Sequence, residues 1–210
     1  MKHFKLLFLF LSLILSSCSP PTYLFTTGQR TGVDFTQGKW LLNELDCPKD
    51  SKEKLTQKTL EFFRDNLHDR LFYINDVNGL LITRKIHLNP NRIKLKELKD
   101  GTGFDFFINI VTSKNKSDFW SIELYQNEYE TGKNKSTVIL EIYDLNLQEI
   151  IYSQKVIGID EKTEDLMAAQ RPAKSSALID NLSFYKTSDK LMQGALKKIL
   201  KDLKKRSIRN

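Results

Sequence analysis

Residues 137–157 read TVILEIYDLNLQEIIYSQKVI, two apolar runs that flank a short polar turn. In the first run Val138, Leu140 and Ile142 alternate with other side chains, which is the two-residue period of a strand with one buried face. Residues 144–148 supply the turn, and the second apolar run follows it directly. The stretch therefore predicts an antiparallel β-hairpin.

Apolar runs on either side of this hairpin predict the rest of a sheet. Residues 104–111 are apolar on both faces, which is typical of a central, well-buried strand. Residues 119–125 alternate in the same way as the hairpin, and residues 80–88 have a strand-like mixture of apolar and polar side chains. Residues 158–187 lose all periodicity and predict a long loop.

Two amphipathic helices enclose these strands, with a short helix predicted from Ile93 to Asp100-Gly101. The first runs over about residues 51–70, where apolar side chains recur in four-residue steps. The second lies near the C-terminus, where the apolar line is Met192, Ala195, Ile199 and Leu203. We therefore predict an α+β fold, a mostly antiparallel sheet of about four or five strands with the N- and C-terminal helices packed on one face.

The first eighteen residues have the form of an export signal. Lys2 and Lys5 form a basic start, and the apolar run that ends at Leu15 is shorter than the about twenty residues that a membrane-spanning helix needs. The run ends in Leu-Ser-Ser-Cys18, which resembles the lipobox of bacterial lipoproteins. The resemblance implies cleavage before Cys18 and lipidation of its thiol and new amino group. The alternative is an ordinary secretory signal that contains a cysteine.

The lipobox resemblance also implies a location and a layout. No acidic residue follows the cysteine, and Ser19 stands where an inner-membrane retention signal would have Asp, so we expect an outer-membrane protein on the periplasmic leaflet of the cell envelope. The expected layout is a signal peptide (1–17), a lipidated Cys18 with a flexible tether (18–38), a single globular domain (39–205) and a basic tail (206–210).

The positive charge of the chain is concentrated at its C-terminus. The formal net charge is +7, and residues 197–210 hold seven basic side chains against Asp202 alone. Such a patch could contact anionic lipid headgroups, lipopolysaccharide phosphates or an acidic protein, while the alternative is a solvated helix face. A nucleic-acid partner is not expected for an exported lipoprotein. The candidate contact residues are Lys197, Lys198, Lys201, Lys204, Lys205 and Arg206.

A second resemblance covers about residues 50–205. Leu95-Lys-Glu-Leu98, followed by the Gly103-Phe-Asp-Phe-Phe-Ile108 strand, resembles a passage of the curli-export and penicillin-binding-protein-activator lipoproteins and of the N-terminal domain of TolB-type periplasmic proteins. The hairpin with Tyr143-Asp144 and Glu149 resembles their next passage. The chain departs from that pattern at residues 145–148, where a glycine is common. The resemblance implies a protein-binding accessory domain and carries over no catalytic residue.

Motifs that would indicate an enzyme are missing from the sequence. There is no G-x-S-x-G, H-E-x-x-H, C-x-x-C or P-loop pattern. Cys47 could in principle pair with His68 or His87 as a nucleophile, although an inert thiol is the expected role. Asp100 and Asp105 flank a turn and could do acid–base chemistry, but turn and strand-start roles are expected for both.

These observations predict a membrane-anchored cell-envelope lipoprotein that acts without catalysis, by binding or assembling a protein partner. No metal and no cofactor are expected beyond the covalent lipid on Cys18. The alternative is a periplasmic enzyme or a small-ligand-binding lipoprotein that uses Cys47 or a carboxylate cleft.

Overall fold

The computed structural model describes residues 21–26, 28–29, 32–80, 86–114, 133–161 and 187–208. The strands are β1 (Thr22–Thr26), β2 (Trp40–Leu42), β3 (Leu71–Tyr73), β4 (Phe106–Lys114), β5 (Lys133–Asp144) and β6 (Glu149–Glu161). The helices are α1 (Lys49–Leu67), α2 (Arg92–Thr102) and α3 (Ser188–Arg206), and two 3-10 turns flank β3 at His68–Arg70 and Ile74–Asp76.

The six strands form one mixed sheet in the order β1-β6-β5-β4-β2-β3. Strands β4, β5, β6 and β1 pair antiparallel, whereas β2 runs parallel to both β3 and β4. The prediction of a mostly antiparallel sheet with about four or five strands is therefore wrong in both respects. Strands β2 and β3 have three residues each, which is too short for a two-residue period to show in the sequence.

The helices cover different faces of this sheet. Helices α1 and α3 pack on one face, here called the α1/α3 face, where Ile108, Leu140 and Ile142 lie in a single apolar cluster with both helices. Helix α2 packs on the opposite face, here called the α2 face, against Phe107 and Tyr143. The two terminal helices thus share a face as the sequence predicts, and the short helix lies on the other.

Residues 21–38, predicted as a flexible tether, are largely built into the fold. Strand β1 pairs with β6 along its whole length, and the side chains of Val33 and Phe35 are buried. Ile208 pairs with this segment, because its N–H donates to the Val33 carbonyl and its carbonyl accepts from the Phe35 N–H, each at 3.0 Å. The predicted basic tail over 206–210 accordingly begins inside α3 and continues into this pairing.

Several other predictions can be compared with the strands. Residues 158–161 belong to β6 rather than to the predicted loop, and residues 162–186 lie outside the described part of the chain. The predicted strand over 119–125 also lies outside it. Of the predicted strand over 80–88, only residues 80 and 86–88 are described, and they are not in a strand.

Helix α2 ends at Thr102, close to its predicted end at Asp100-Gly101. Gly103 adopts φ 71°, a left-handed conformation that glycine adopts without steric cost, and its N–H donates to the Lys99 carbonyl at 2.8 Å. At the other end of α2 the Asn91 side chain accepts from the Lys94 N–H. Among the residues described here, no helix is both long enough and apolar enough to cross a membrane.

Candidate functional site

Helix α3 has an apolar inner face and a basic outer face. Its apolar side chains are buried in the α1/α3 cluster, and the predicted line of Met192, Ala195, Ile199 and Leu203 is fully buried. Six exposed lysines occupy the opposite side, because each of them lies three, four or seven residues from another. We call this surface the lysine face: Lys190, Lys197, Lys198, Lys201, Lys204 and Lys205.

The lysine face is about 22 Å long, since Lys190 and Lys205 are fifteen residues apart on a helix that rises ~1.5 Å per residue. Arg206, the sixth predicted contact residue, lies beside it and pairs with Asp202 at 3.0 Å. In the parts of the chain that the structure describes, no carboxylate pairs with any lysine of this face. Its charge is therefore presented to solvent.

Tyr23 of β1 joins the N-terminal strand to this helix. Its ring lies between Gly158 of β6 and Gly194 of α3, and a Cβ at Gly194 would overlap the hydroxyl and the ring. The Nζ of Lys198 stands 5.7 Å from the ring centroid, which is a cation–π contact. Burial, and secondarily the charge of Asp160, raises the pKa of Tyr23, so its hydroxyl stays protonated at neutral pH.

Cys18 itself lies outside the described residues, but the strand that follows it does not. Thr22 begins β1, four residues after the cysteine. Four residues of fully extended chain span at most ~14 Å. A lipid on Cys18 would therefore be attached within that distance of the strand that contacts the lysine face.

Asp105 is held in a structural role rather than an acid–base role. Its carboxylate accepts from the Lys39 N–H at 2.9 Å, from the Lys99 ammonium at 2.9 Å and from the Asn146 amide at 3.3 Å. These hydrogen bonds, first of all the one from the Lys39 backbone, lower the pKa of Asp105. The exposed Asp100 is not part of this network, so the structure does not combine the two carboxyls into a catalytic pair.

A buried polar network crosses the α2 face of the sheet. Asn43 donates its amide to Asn109 at 3.1 Å, and Glu141 lies directly opposite Asn109 on β5. Glu141 accepts from the Tyr143 hydroxyl and from the Asn89 N–H. Burial raises the pKa of Tyr143. Because these groups satisfy one another and bond to residues 86–89, the network fixes that segment on the sheet.

The structure separates Cys47 from both described histidines. Cys47 packs against the α1/α3 cluster, and burial raises the pKa of its thiol. His68 follows the far end of the 19-residue helix α1, about 28 Å along its axis. The carbonyl of His87 accepts from Asn109, whose side chain is on the α2 face, so the sheet lies between this segment and Cys47. Neither cysteine–histidine pair is formed.

Carboxylates elsewhere do not converge on a described metal site. Across the described residues no group of three or more His, Cys, Asp or Glu side chains could hold a metal ion. A surface groove runs along the outer side of α1, and every described residue that lines it belongs to that helix: Glu53, Thr56, Gln57, Leu60, Glu61, Arg64 and Asp65.

Charged groups at the start of α1 and α3 are joined by one lysine of β4. Lys114 pairs with Asp189 at 2.6 Å and also with Asp50, and Ser51 donates to Asp189. The Lys114 pairing is the largest cause of the lowered pKa of Asp189. The cluster fixes the two helix N-termini against the end of the sheet.

The sequence analysis missed one member of the lysine face, Lys190, and two residues beside it, Tyr23 and Gly194. Lys190 lies seven residues before Lys197, a helical repeat that could have identified it. Tyr23 and Gly194 gave no sequence signal, because their contact depends on the pairing of β1 with β6.

Comparison with known proteins gives a limited result. No protein-family model matches the sequence, and no curated protein matches it. Solved structures that match in shape include the PelC dodecamer from Paraburkholderia phytofirmans, at 10% identity and TM-score 0.43 over 91% of this chain and 100% of that chain. They also include the lipoprotein GNA1162 from Neisseria meningitidis (12%, 0.38, 69% and 97%) and the hypothetical protein CT253 from Chlamydia trachomatis (12%, 0.37, 79% and 95%). At such TM-scores the similarities carry no conclusion about this chain.

Proposed function

We propose that this protein is a lipid-anchored protein of the bacterial cell envelope, attached through Cys18 to the periplasmic leaflet of the outer membrane. The observation that carries the proposal is the position of β1. The first strand begins four residues after the lipobox cysteine, so cleavage before Cys18 leaves every described element intact. An anchor at this point would hold the folded chain directly at the membrane surface.

We further propose that the domain acts by binding a protein partner rather than by catalysis. The carboxylates that could do chemistry are used otherwise: Asp105, a candidate from the sequence, accepts three hydrogen bonds, and the buried Glu141 accepts from Tyr143 and Asn89. The raised pKa of Cys47 disfavours the thiolate that nucleophilic catalysis needs. These contacts support an accessory role in envelope assembly over the alternative enzyme or ligand-binding role.

Fractionation of bacteria that express the full chain tests the anchor. The wild-type protein should sediment with the outer membrane, and Cys18→Ala should remain in the inner membrane as an unprocessed precursor or appear in the soluble fraction. Cys47→Ser is the matched control, since it also removes one thiol and should leave the distribution unchanged. Outer-membrane retention of folded Cys18→Ala at the wild-type level would exclude the anchor.

Chemical crosslinking in intact cells, followed by purification and mass spectrometry, tests the binding role. A defined envelope protein should be enriched with wild-type protein and with Cys47→Ser, in a constant ratio to the bait. A loss of partner enrichment or of cell growth in Cys47→Ser, at an unchanged protein level, would contradict the non-catalytic role and favour a reactive thiol.

A further inference from the structure

We propose that the domain lies flat on the membrane that carries its lipid, with the lysine face of α3 against the anionic phosphate headgroups. This inference rests on the proposed lipid anchor and adds the surface and the orientation with which the domain meets the bilayer. It requires three things: an anchor close to the lysine face, an excess of positive charge there, and a geometry in which the whole helix reaches the surface.

The anchor is close to this face because β1 contacts α3. The lipidated cysteine would be at most ~14 Å from Thr22, and the next residue, Tyr23, packs on Gly194 and under Lys198. Phe25 projects to the same side of the sheet as Tyr23, two residues further along the strand. Phe25 is 37% exposed, so the edge strand presents one apolar side chain on the same side of the sheet as the lysines. Basic and apolar groups side by side suit the headgroup region of a bilayer.

The charge distribution distinguishes α3 from its neighbour on the same face of the sheet. Helix α1 exposes both signs in equal number: Asp50, Glu53, Glu61 and Asp65 against Lys49, Lys54, Lys58 and Arg64. The lysine face exposes six cations along one side of the helix, and the two acidic residues of α3, Asp189 and Asp202, pair with Lys114 and Arg206 instead. Anionic lipid headgroups attract such a polybasic surface.

The direction of α3 shows which end of the helix lies near the anchor, and its length then distinguishes a flat from an upright orientation. Gly158 of β6 lies near the Leu191 carbonyl, and Tyr152 near Asp202, so α3 runs antiparallel to β6 and parallel to β1. An upright helix with its start at the membrane would hold Lys205 about 22 Å from Lys190 along the normal. Salt screens charges beyond ~8–10 Å, so only the flat orientation brings every lysine into range.

Site-specific fluorescence quenching tests the orientation with the full, lipidated chain. In a Cys47→Ser background, a thiol-reactive fluorophore is placed at Lys190→Cys, Lys205→Cys or, as a control on α2, Lys96→Cys. Each protein is reconstituted into phosphatidylcholine vesicles with or without phosphatidylglycerol, and a nitroxide on the lipid headgroups is the quencher. Co-flotation with the vesicles is measured in the same samples and reports the anchor separately.

A flat domain gives strong and similar quenching at Lys190 and Lys205, and weak quenching at Lys96, only when phosphatidylglycerol is present. Raising the salt to about 1 M, where the Debye length falls to ~3 Å, should reduce this quenching while the protein still floats. Replacing Lys197, Lys201 and Lys204 by Gln should lower the equilibrium constant for the flat orientation about 100-fold, since each lysine near an anionic surface contributes roughly fivefold.

Two results overturn the inference while leaving the anchor in place. Quenching at Lys190 but not at Lys205 would show an upright domain, and equal quenching at all three positions in floating vesicles would show no preferred orientation. Protein that carries no lipid and does not float would instead refute the proposed function, and the orientation with it.

Discussion

The inner and outer faces of α3 contain similar numbers of residues but contribute to different properties. The inner face buries seven side chains, all aliphatic or methionine, and six of them are fully buried. The outer face carries six lysines that no described carboxylate neutralises. Burial of apolar surface stabilises a fold, whereas exposed charge contributes little to stability and much to long-range attraction. Substitutions on the two faces should therefore affect different measurements.

The largest effect is expected at the centre of the inner face. Ile199 is fully buried between the sheet and α1, so Ile199→Ala should lower the free energy of unfolding by about 2–5 kcal/mol through lost burial and a residual cavity. Urea unfolding followed by circular dichroism measures the change, and Lys201→Ala on the outer face is the control. An Ile199→Ala protein as stable as the wild type would show that the faces have been assigned wrongly.

A smaller and pH-dependent effect is expected at Asp105. Its folded-state pKa is lowered, so its stabilising contribution is present above the unfolded pKa of about 3.9 and is lost as the pH falls through the folded value. Asp105→Asn should therefore cost about 1–2 kcal/mol at pH 7, and the difference from wild type should shrink below about pH 4.

Thermal melts across that pH range measure this difference, and Asp100→Asn is the matched control. A stability difference between wild type and Asp105→Asn that stays constant down to pH 2 would mean that the Asp105 charge does not stabilise the hydrogen bonds that join Lys39, α2 and the hairpin turn.

Gly194 lies on the lysine-bearing side of α3, four residues from both Lys190 and Lys198, where Tyr23 packs against it. A glycine-to-alanine change inside a helix normally stabilises by ~1 kcal/mol, but here the added Cβ overlaps Tyr23. Gly194→Ala should therefore destabilise the domain, by about 1 kcal/mol. In a Tyr23→Ala background the same change should become stabilising, and a double-mutant cycle measures this reversal. Stabilisation by Gly194→Ala in the wild-type background would disprove the contact between β1 and α3.

The smallest effect on folding is expected on the outer face. The triple substitution of Lys197, Lys201 and Lys204 by Glu should change stability by no more than about 0.5 kcal/mol per site, because exposed surface substitutions usually stay within that range. Denaturant unfolding at two salt concentrations tests this. A triple variant that unfolds would show that these lysines support the fold.

The sequence predicted the elements whose patterns are long enough to show a period. Helix α1 was expected over 51–70 and spans Lys49–Leu67, and the hairpin of 137–157 is formed by β5 and β6. Strand β1 was missed because five residues of Thr, Tyr, Leu and Phe give no period, and their structure depends on pairing with β6. The parallel pairing of β2 was missed because it joins residues distant in sequence.

The residues of the candidate site also differ in whether the sequence alone could identify them. The lysines of residues 197–205 could be identified from their number and spacing in one helix, and the structure shows their side chains exposed. The contact of Tyr23 with Gly194 could not, since it depends on tertiary packing. The structural roles of Asp105 and Glu141 were hidden for the same reason, because their hydrogen-bond partners come from separate elements.

The central claim is that Cys18 carries a lipid and forms the N-terminus of the mature protein. Intact mass spectrometry of the full chain, expressed in bacteria and purified from their membranes, tests this most directly. The account predicts a polypeptide that starts at Cys18 and carries the added mass of a diacylglyceryl group on sulfur and an acyl group on nitrogen, both absent from Cys18→Ala. A mature chain with an unmodified Cys18, or one cleaved after it, would contradict the account.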